Sequence, residues 1–108
     1  MEILTKLEEL ILLSVLQLGE NAYGTTIYNK ISEVTGKKLS LGGVYFPLDR
    51  LVKKGYLGSF IGETTEVRRG LSKRYYQLSE RGQTALQEIY KVNQVMWNGF
   101  EESNLTVG

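Results

Sequence analysis

The run from Leu10 to Leu18 constrains this chain more than any other segment. Only Ser14 and Gln17 interrupt its apolar residues. Ahead of it, Thr5 and Glu8 form the Thr-x-x-Glu pattern of a capping box, and behind it Gly19 suits the position just past a helix end. Thr5 to Leu18 is therefore expected to be a helix. A helix apolar on nearly every side has to be covered on nearly every side. The chain has 108 residues, and a domain of that size buries only about two-thirds of its unfolded surface. It holds too little other protein to wrap such a helix, so a second copy of the chain is expected to cover one side.

The same run is too short to span a bilayer. Glu8 and Glu9 precede it where a signal peptide would carry basic residues, so neither a membrane segment nor a secretion signal is expected. The chain has no cysteine and no histidine. That excludes a disulfide framework, zinc sites of the Cys/His type, thiol nucleophiles and His-based acid–base catalysis. No carboxylate pair or Gly-rich phosphate loop stands in a recognisable frame. The expectation is a cytoplasmic protein that is not an enzyme, with no cofactor and no bound metal. A single proline and no Ser/Gly-rich linker argue against a second globular domain.

Further along, Gly24 to Thr35 has the pattern of a second helix. Thr25 or Thr26 lies near its start, Ile27, Tyr28, Ile31 and Val34 form an apolar stripe, and Gly36 ends it. Ser40 can cap a third helix reaching Lys54, in which Leu41, Val44, Tyr45, Leu48, Leu51 and Val52 recur at helical spacing. Gly43, Phe46, Pro47, Arg50, Lys53 and Lys54 fall on the other, outward side. Leu57 to Ile61 and Arg74 to Leu78 are expected as two short strands, with residues 62–73 as the hairpin tip. Ser79 then caps a last helix from Glu80 to about Glu102. Leu86, Ile89, Asn93, Met96 and Phe100 follow one another at steps of 3 and 4, a heptad-like seam.

The formal net charge of +1 conceals a strong asymmetry. Residues 1–29 carry one Lys against four Glu, residues 30–81 carry eleven Lys/Arg against five Asp/Glu, and residues 82–108 carry one Lys against three Glu. A basic middle between acidic ends is the footprint of a surface that faces phosphates. It is equally the footprint of a solvated basic face with no partner.

Three helices followed by a β-hairpin is the element order of a winged helix-turn-helix, whose third helix enters a major groove. The expected fold class is mainly α with this small hairpin and a long C-terminal dimerisation helix. Residues 1–79 would form the DNA-binding domain, and residues 80–108 the dimerisation helix and a frayed tail. Lys37, Lys38 and Ser40 cluster at the N-terminus of the third helix, where free backbone N–H groups suit a phosphate. Gly43, Tyr45, Phe46, Arg50 and Lys53 would face the duplex. Arg68, Arg69, Lys73 and Arg74 lie on or beside the hairpin tip, placed for phosphates or a minor groove.

Three groups of residues carry a resemblance. They are Tyr23-Gly24; the run Leu41-Gly42-Gly43-Val44-Tyr45 with Leu48, Arg50, Leu51, Gly55, Tyr56 and Leu57; and Lys73-Arg74-Tyr75-Tyr76-Gln77-Leu78-Ser79 with Gly82. Together they resemble the PadR family of bacterial transcriptional regulators, over residues from about 5 to 100. The resemblance implies a winged helix, double-stranded DNA as partner and a homodimer. It further implies a short branch of the family in which the last helix packs on the partner's first helix. Leu10 and Leu13 would then meet Leu86, Ile89, Asn93, Met96, Trp97 and Phe100 across the interface. Two departures stand out. Many relatives place proline directly after the tyrosine, whereas here Phe46 intervenes before Pro47. Either Pro47 lies within the helix with Gly43 four residues earlier, or the helix begins near Val44 with Pro47 in its first turn. The wing has Arg68-Arg69-Gly70-Leu71-Ser72 where many relatives have a Gly-Gly-Arg-Arg run.

Several residues carry two readings. Tyr45 is a phosphate donor through its hydroxyl or a core aromatic with a wet tip. Tyr75 and Tyr76 alternate on a strand, so one faces the core and the other faces out. Trp97 is an interface residue beside Met96 and Phe100; related multidrug-sensing regulators instead stack a flat aromatic ligand on a tryptophan of this helix, which makes a small aromatic ligand the weaker reading. Asn93 fixes register in a paired seam or points to solvent. The expected function is a sequence-specific DNA-binding regulator, a homodimeric repressor on a pseudo-palindromic operator, open to control by a ligand. The alternative is a winged-helix protein-interaction module without DNA binding.

Overall fold

The computed structural model describes residues 2–62 and 73–101. The order is α1 (Lys6–Leu18), one 3-10 turn (Gly19–Asn21), α2 (Gly24–Thr35), α3 (Gly42–Lys53), β1 (Leu57–Ile61), β2 (Arg74–Leu78) and α4 (Glu80–Met96). This is the winged helix-turn-helix expected from the sequence.

Local chemistry sets the helix starts. The Thr5 hydroxyl accepts from the Glu8 amide at 3.1 Å, and the Glu8 carboxylate accepts from the Thr5 amide at 2.8 Å. This reciprocal pair satisfies two donors at the start of α1 and explains why a carboxylate can be buried there. Thr26, not Thr25, closes the first turn of α2 by accepting from the Tyr23 amide at 3.0 Å. Ser40 accepts from the Gly43 amide at 3.0 Å and so caps α3 from just outside it.

The core joins Ile11, Leu12 and Val15 of α1 to Ala22, Ile27, Ile31, Val44, Leu48, Leu51, Tyr56, Leu57 and Tyr76. α1 lies at its centre, touching α2, α3, β2 and α4. The single chain therefore covers more of α1 than the sequence led us to expect. Leu10, Leu13 and Leu18 are half-buried, and only Leu16 among its leucines remains exposed. Three positions depart from the expected apolar faces. Val34 is exposed, because the last turn of α2 carries it beyond the core. Leu41 is also exposed, since it precedes the first turn of α3. Pro47, expected outward, is buried.

Of the two placements for Pro47, the first is found. α3 begins at Gly42, so Pro47 lies inside the helix. Its missing N–H leaves the Gly43 carbonyl, four residues back, without its helical donor. The helix continues to Lys53 because Pro47 and its neighbours Val44, Leu48 and Leu51 are fixed in the core.

The hairpin is antiparallel, with Leu57 opposite Leu78 and Ile61 opposite Arg74. Its second strand is also tied to the segment before α2. The Tyr76 amide donates to the Ala22 carbonyl at 2.9 Å, and Tyr23 bridges Tyr75. Tyr76 faces the core and Tyr75 is half-buried on the other face, as alternation requires.

α4 starts where the hairpin ends. Ser79 accepts from the Gly82 amide at 3.0 Å and donates to the Gly55 carbonyl at 2.5 Å. Gly82 lies so close to the chain end of α3 that a Cβ would stand 2.2 Å from the Tyr56 carbonyl oxygen. The far end differs from expectation. Regular helix stops at Met96, and the chain turns through residues 97–101, with Gly99 at φ 81°. Gly82→Ala is expected to lower stability by about 1–3 kcal/mol, because a backbone carbonyl cannot move aside as a side-chain tip can. A urea titration followed by circular dichroism measures this, and an unchanged midpoint would contradict the tight junction.

Candidate nucleic-acid interface

The outward side of α3 presents Gly43, Phe46, Arg50 and Lys53 to solvent, with Phe46 69% exposed. Phe46 and Arg50 are one turn apart, so an aromatic face and a guanidinium stand side by side. Asp49 is exposed beside them. An aromatic face of this kind suits contact with an apolar group such as a thymine methyl.

The loop before α3 brings Lys37 and Lys38 alongside, both exposed. This loop is held at two points. The Tyr28 hydroxyl donates to the Leu39 carbonyl at 2.5 Å, and the Lys37 amide donates to the Thr35 hydroxyl at 3.2 Å. Tyr45 sits at the edge of the surface, about one-third exposed. Its ring lies on the backbone of Gly24, where a Cβ would come within 2.3 Å of the ring. Both readings of Tyr45 keep a physical basis here, a packed ring and a hydroxyl at the start of α2.

The hairpin adds two ordered cations. Lys73 places its ammonium 3.9 Å from the centre of the Tyr23 ring. That ring meets Tyr75 edge-on at 5.4 Å, and Tyr75 stacks on Phe60 at 5.7 Å. The ladder anchors the Lys73 stem to the entrance of α2. Arg74 donates to the Ser59 hydroxyl at 3.0 Å. With Lys53, Asp49, Val52 and Tyr76 it lines a cleft of about 480 Å³ between α3 and the hairpin. Burial, followed by the charge of Asp49, raises the Tyr76 phenol above its ordinary range. The remaining two wing cations, Arg68 and Arg69, lie outside the described residues.

α3 thus carries Gly43, Tyr45, Phe46, Arg50 and Lys53, the loop before it carries Lys37, Lys38 and Ser40, and Arg74 meets Lys53 at the cleft, whereas Lys73 turns to Tyr23 at the start of α2. The contacts made by three residues here were not foreseen from the sequence. Tyr23 supports Lys73, and Tyr28 fixes the loop, but an aromatic in a mixed stripe gives no sign of its polar partner. Glu2 binds Lys54, 52 positions away, and nothing in sequence spacing announces such a contact.

The residues expected at a dimer interface fall into three groups. Leu10 and Leu86 pack against the chain's own core. Leu13, Ile89 and Asn93 are half-buried. Met96, Trp97 and Phe100 are exposed at 76%, 61% and 50%, and Val92 and Val95 join them in the open. Trp97 meets Phe100 edge-on at 5.0 Å. Among the described residues no group of Asp or Glu converges to hold a metal ion, and no helix is long and apolar enough to cross a membrane.

Known proteins show the same architecture. RosR of H. salinarum is 26% identical, with a TM-score of 0.66 over 88% of this chain and 78% of that one. A PadR-like transcriptional regulator from Bacillus cereus is 24% identical, with a TM-score of 0.71 over 93% of this chain and 91% of that one. A PadR family transcriptional regulator from Eggerthella lenta is 24% identical, with a TM-score of 0.66 over 90% and 82%. No curated protein matches the chain significantly. The family model for PadR-like transcriptional regulators matches residues 12–88. This is a family of transcriptional regulators and not of enzymes. With the match running from within α1 to the middle of α4, the chain belongs to the PadR-like family of transcriptional regulators.

Proposed function

We propose that the chain is a DNA-binding transcriptional repressor that acts as a homodimer on a pseudo-palindromic operator. The observation that carries this reading is the solvent-facing side of α3, where Phe46, Arg50 and Lys53 are exposed beside Lys37 and Lys38. In it, α3 lies in the major groove. Arg50 makes a paired contact to a guanine edge, and Phe46 presses on a thymine methyl. Ser40, Gly43 and Tyr45 fix the helix start against phosphates. Lys73, Arg74, Arg68 and Arg69 hold the duplex from the wing.

The same reading assigns residues 1–79 to DNA and residues 80–108 to the partner. A single chain leaves Val92, Val95, Met96, Trp97 and Phe100 open to water. A second copy, packed through its own last helix and α1, would cover them together with Leu13, Ile89 and Asn93. Trp97 serves first as packing. Stacking of a small aromatic effector on its ring would make the regulator ligand-responsive. A cytoplasmic location follows from access to the genome.

Affinity for promoter DNA is expected to fall steeply with salt. Each neutralised phosphate contributes about −0.9 to the log–log slope, and a dimer with two wings and two α3 helices should reach about −5 or steeper. Fluorescence anisotropy at several salt concentrations reads this directly; a flat response would favour the protein-interaction module.

Reading and holding are expected to separate by mutation. Arg50→Ala should cost roughly 1–3 kcal/mol on the cognate site and relax its sequence preference. Lys73→Ala should weaken cognate and random duplexes alike and reduce the salt slope by about 1. The reverse pattern would place specificity in the wing.

Met96→Glu is expected to turn the dimer into a folded monomer. The residue is largely exposed in the single chain, so the winged domain should stay intact while a charge enters the interface. Sedimentation velocity at micromolar concentration checks it. A monomer in the unmutated protein would remove the homodimer from the proposal.

A further inference from the structure

Lys54 ends the cationic row of α3. It follows Arg50 by four residues, one turn further along the same flank of the helix. Its ammonium does not point freely into solvent. It lies 2.7 Å from one carboxylate oxygen of Glu2. The other oxygen accepts the Tyr56 hydroxyl at 2.8 Å. Tyr56 is buried, and the Arg81 guanidinium lies 4.6 Å from its ring centre. The acceptor therefore rests on the rigid junction of α3, the hairpin and α4, although its own position is near the start of the chain. Lys54 and then Tyr56 hold the Glu2 carboxyl below its ordinary range, so it is ionised at neutral pH.

Two features make this contact exchangeable. The paired side chains are 41% and 38% exposed, so water and ions reach them. Exposed pairs between flexible side chains are weak and screened by salt. A DNA phosphate offers Lys54 the same chemistry as the carboxylate, an anionic oxygen acceptor.

We propose that Glu2 masks Lys54, holding its ammonium until a backbone phosphate replaces the carboxylate, so that Glu2 is a built-in competitor of DNA. The inference rests on the DNA-binding reading above. The mask acts on phosphate binding, so it lowers affinity for duplexes of any sequence and leaves sequence preference alone. It also sets a freed carboxylate beside the duplex in the complex, which repels the next phosphate.

The test is a double-mutant cycle on random and promoter duplexes, read by anisotropy across salt concentrations. Glu2→Gln removes the charge and keeps an acceptor for Tyr56. It should tighten binding about threefold or more on both duplexes and steepen the salt slope by about 1 for each engaged protomer. In a Lys54→Met background the same change should give no gain. An unaltered Glu2→Gln variant overturns the mask. So does a gain that persists with Met at 54, which would mean a general field effect. If the variants fold poorly by thermal melting, the unmutated protein still decides: the Glu2 carboxyl carbon signal should shift by NMR when DNA is added, and an unmoved signal overturns the proposal. Absence of binding by every form, the unmutated protein included, overturns the DNA-binding reading and the mask with it. Normal binding with no effect of Glu2 overturns the mask alone.

Discussion

Tyr56 is the point on which the three working parts of this chain depend. Its amide donates to the Leu51 carbonyl at 2.9 Å, which finishes α3. Its carbonyl accepts from the Ser79 amide at 3.2 Å, which sets the start of α4 against the end of α3. Its ring fills the core and carries Arg81 above it. Gly82 lets the backbones come within contact distance at the same place. α3, the hairpin and α4 therefore leave one tightly packed junction.

Most of the fold was legible because it is written in local chemistry. Thr5 with Glu8, Ser79 with Gly82 and the glycines after α1 and α2 mark ends that depend on near neighbours in sequence. The strand bounds followed from alternation and from the turn-rich segment between them. Errors came where context beyond the element decides. Val34 keeps the apolar spacing of α2 but lies past the core. Pro47 was set on the outward side of α3, yet it stands three residues after Val44 and four before Leu51 and so shares their buried face. The end of α4 was set too late, since a heptad pattern does not reveal where Gly99 takes a left-handed turn.

The site was legible as a set of charges and not as an arrangement. Arg50 and Lys53 were visible because basic residues on the outward side of a helix need only periodicity to be found, and Lys37 and Lys38 because they stand just ahead of its capping serine. What holds them was not. Tyr28 reaches a carbonyl 11 residues away, Lys73 rests on Tyr23, and Glu2 crosses the fold to Lys54. Each is a contact between residues whose separation carries no pattern. The all-round apolar α1 gave a sound argument with a misplaced weight. Its own chain covers most of it, and the apolar residues left exposed stand towards the end of α4.

The packing of Tyr45 on Gly24 has a consequence for how chains of this kind can diverge. The ring occupies the space a side chain at position 24 would need, so the two positions form one unit of change. A methyl group at 24 requires the ring of Tyr45, which is partly exposed, to swing aside.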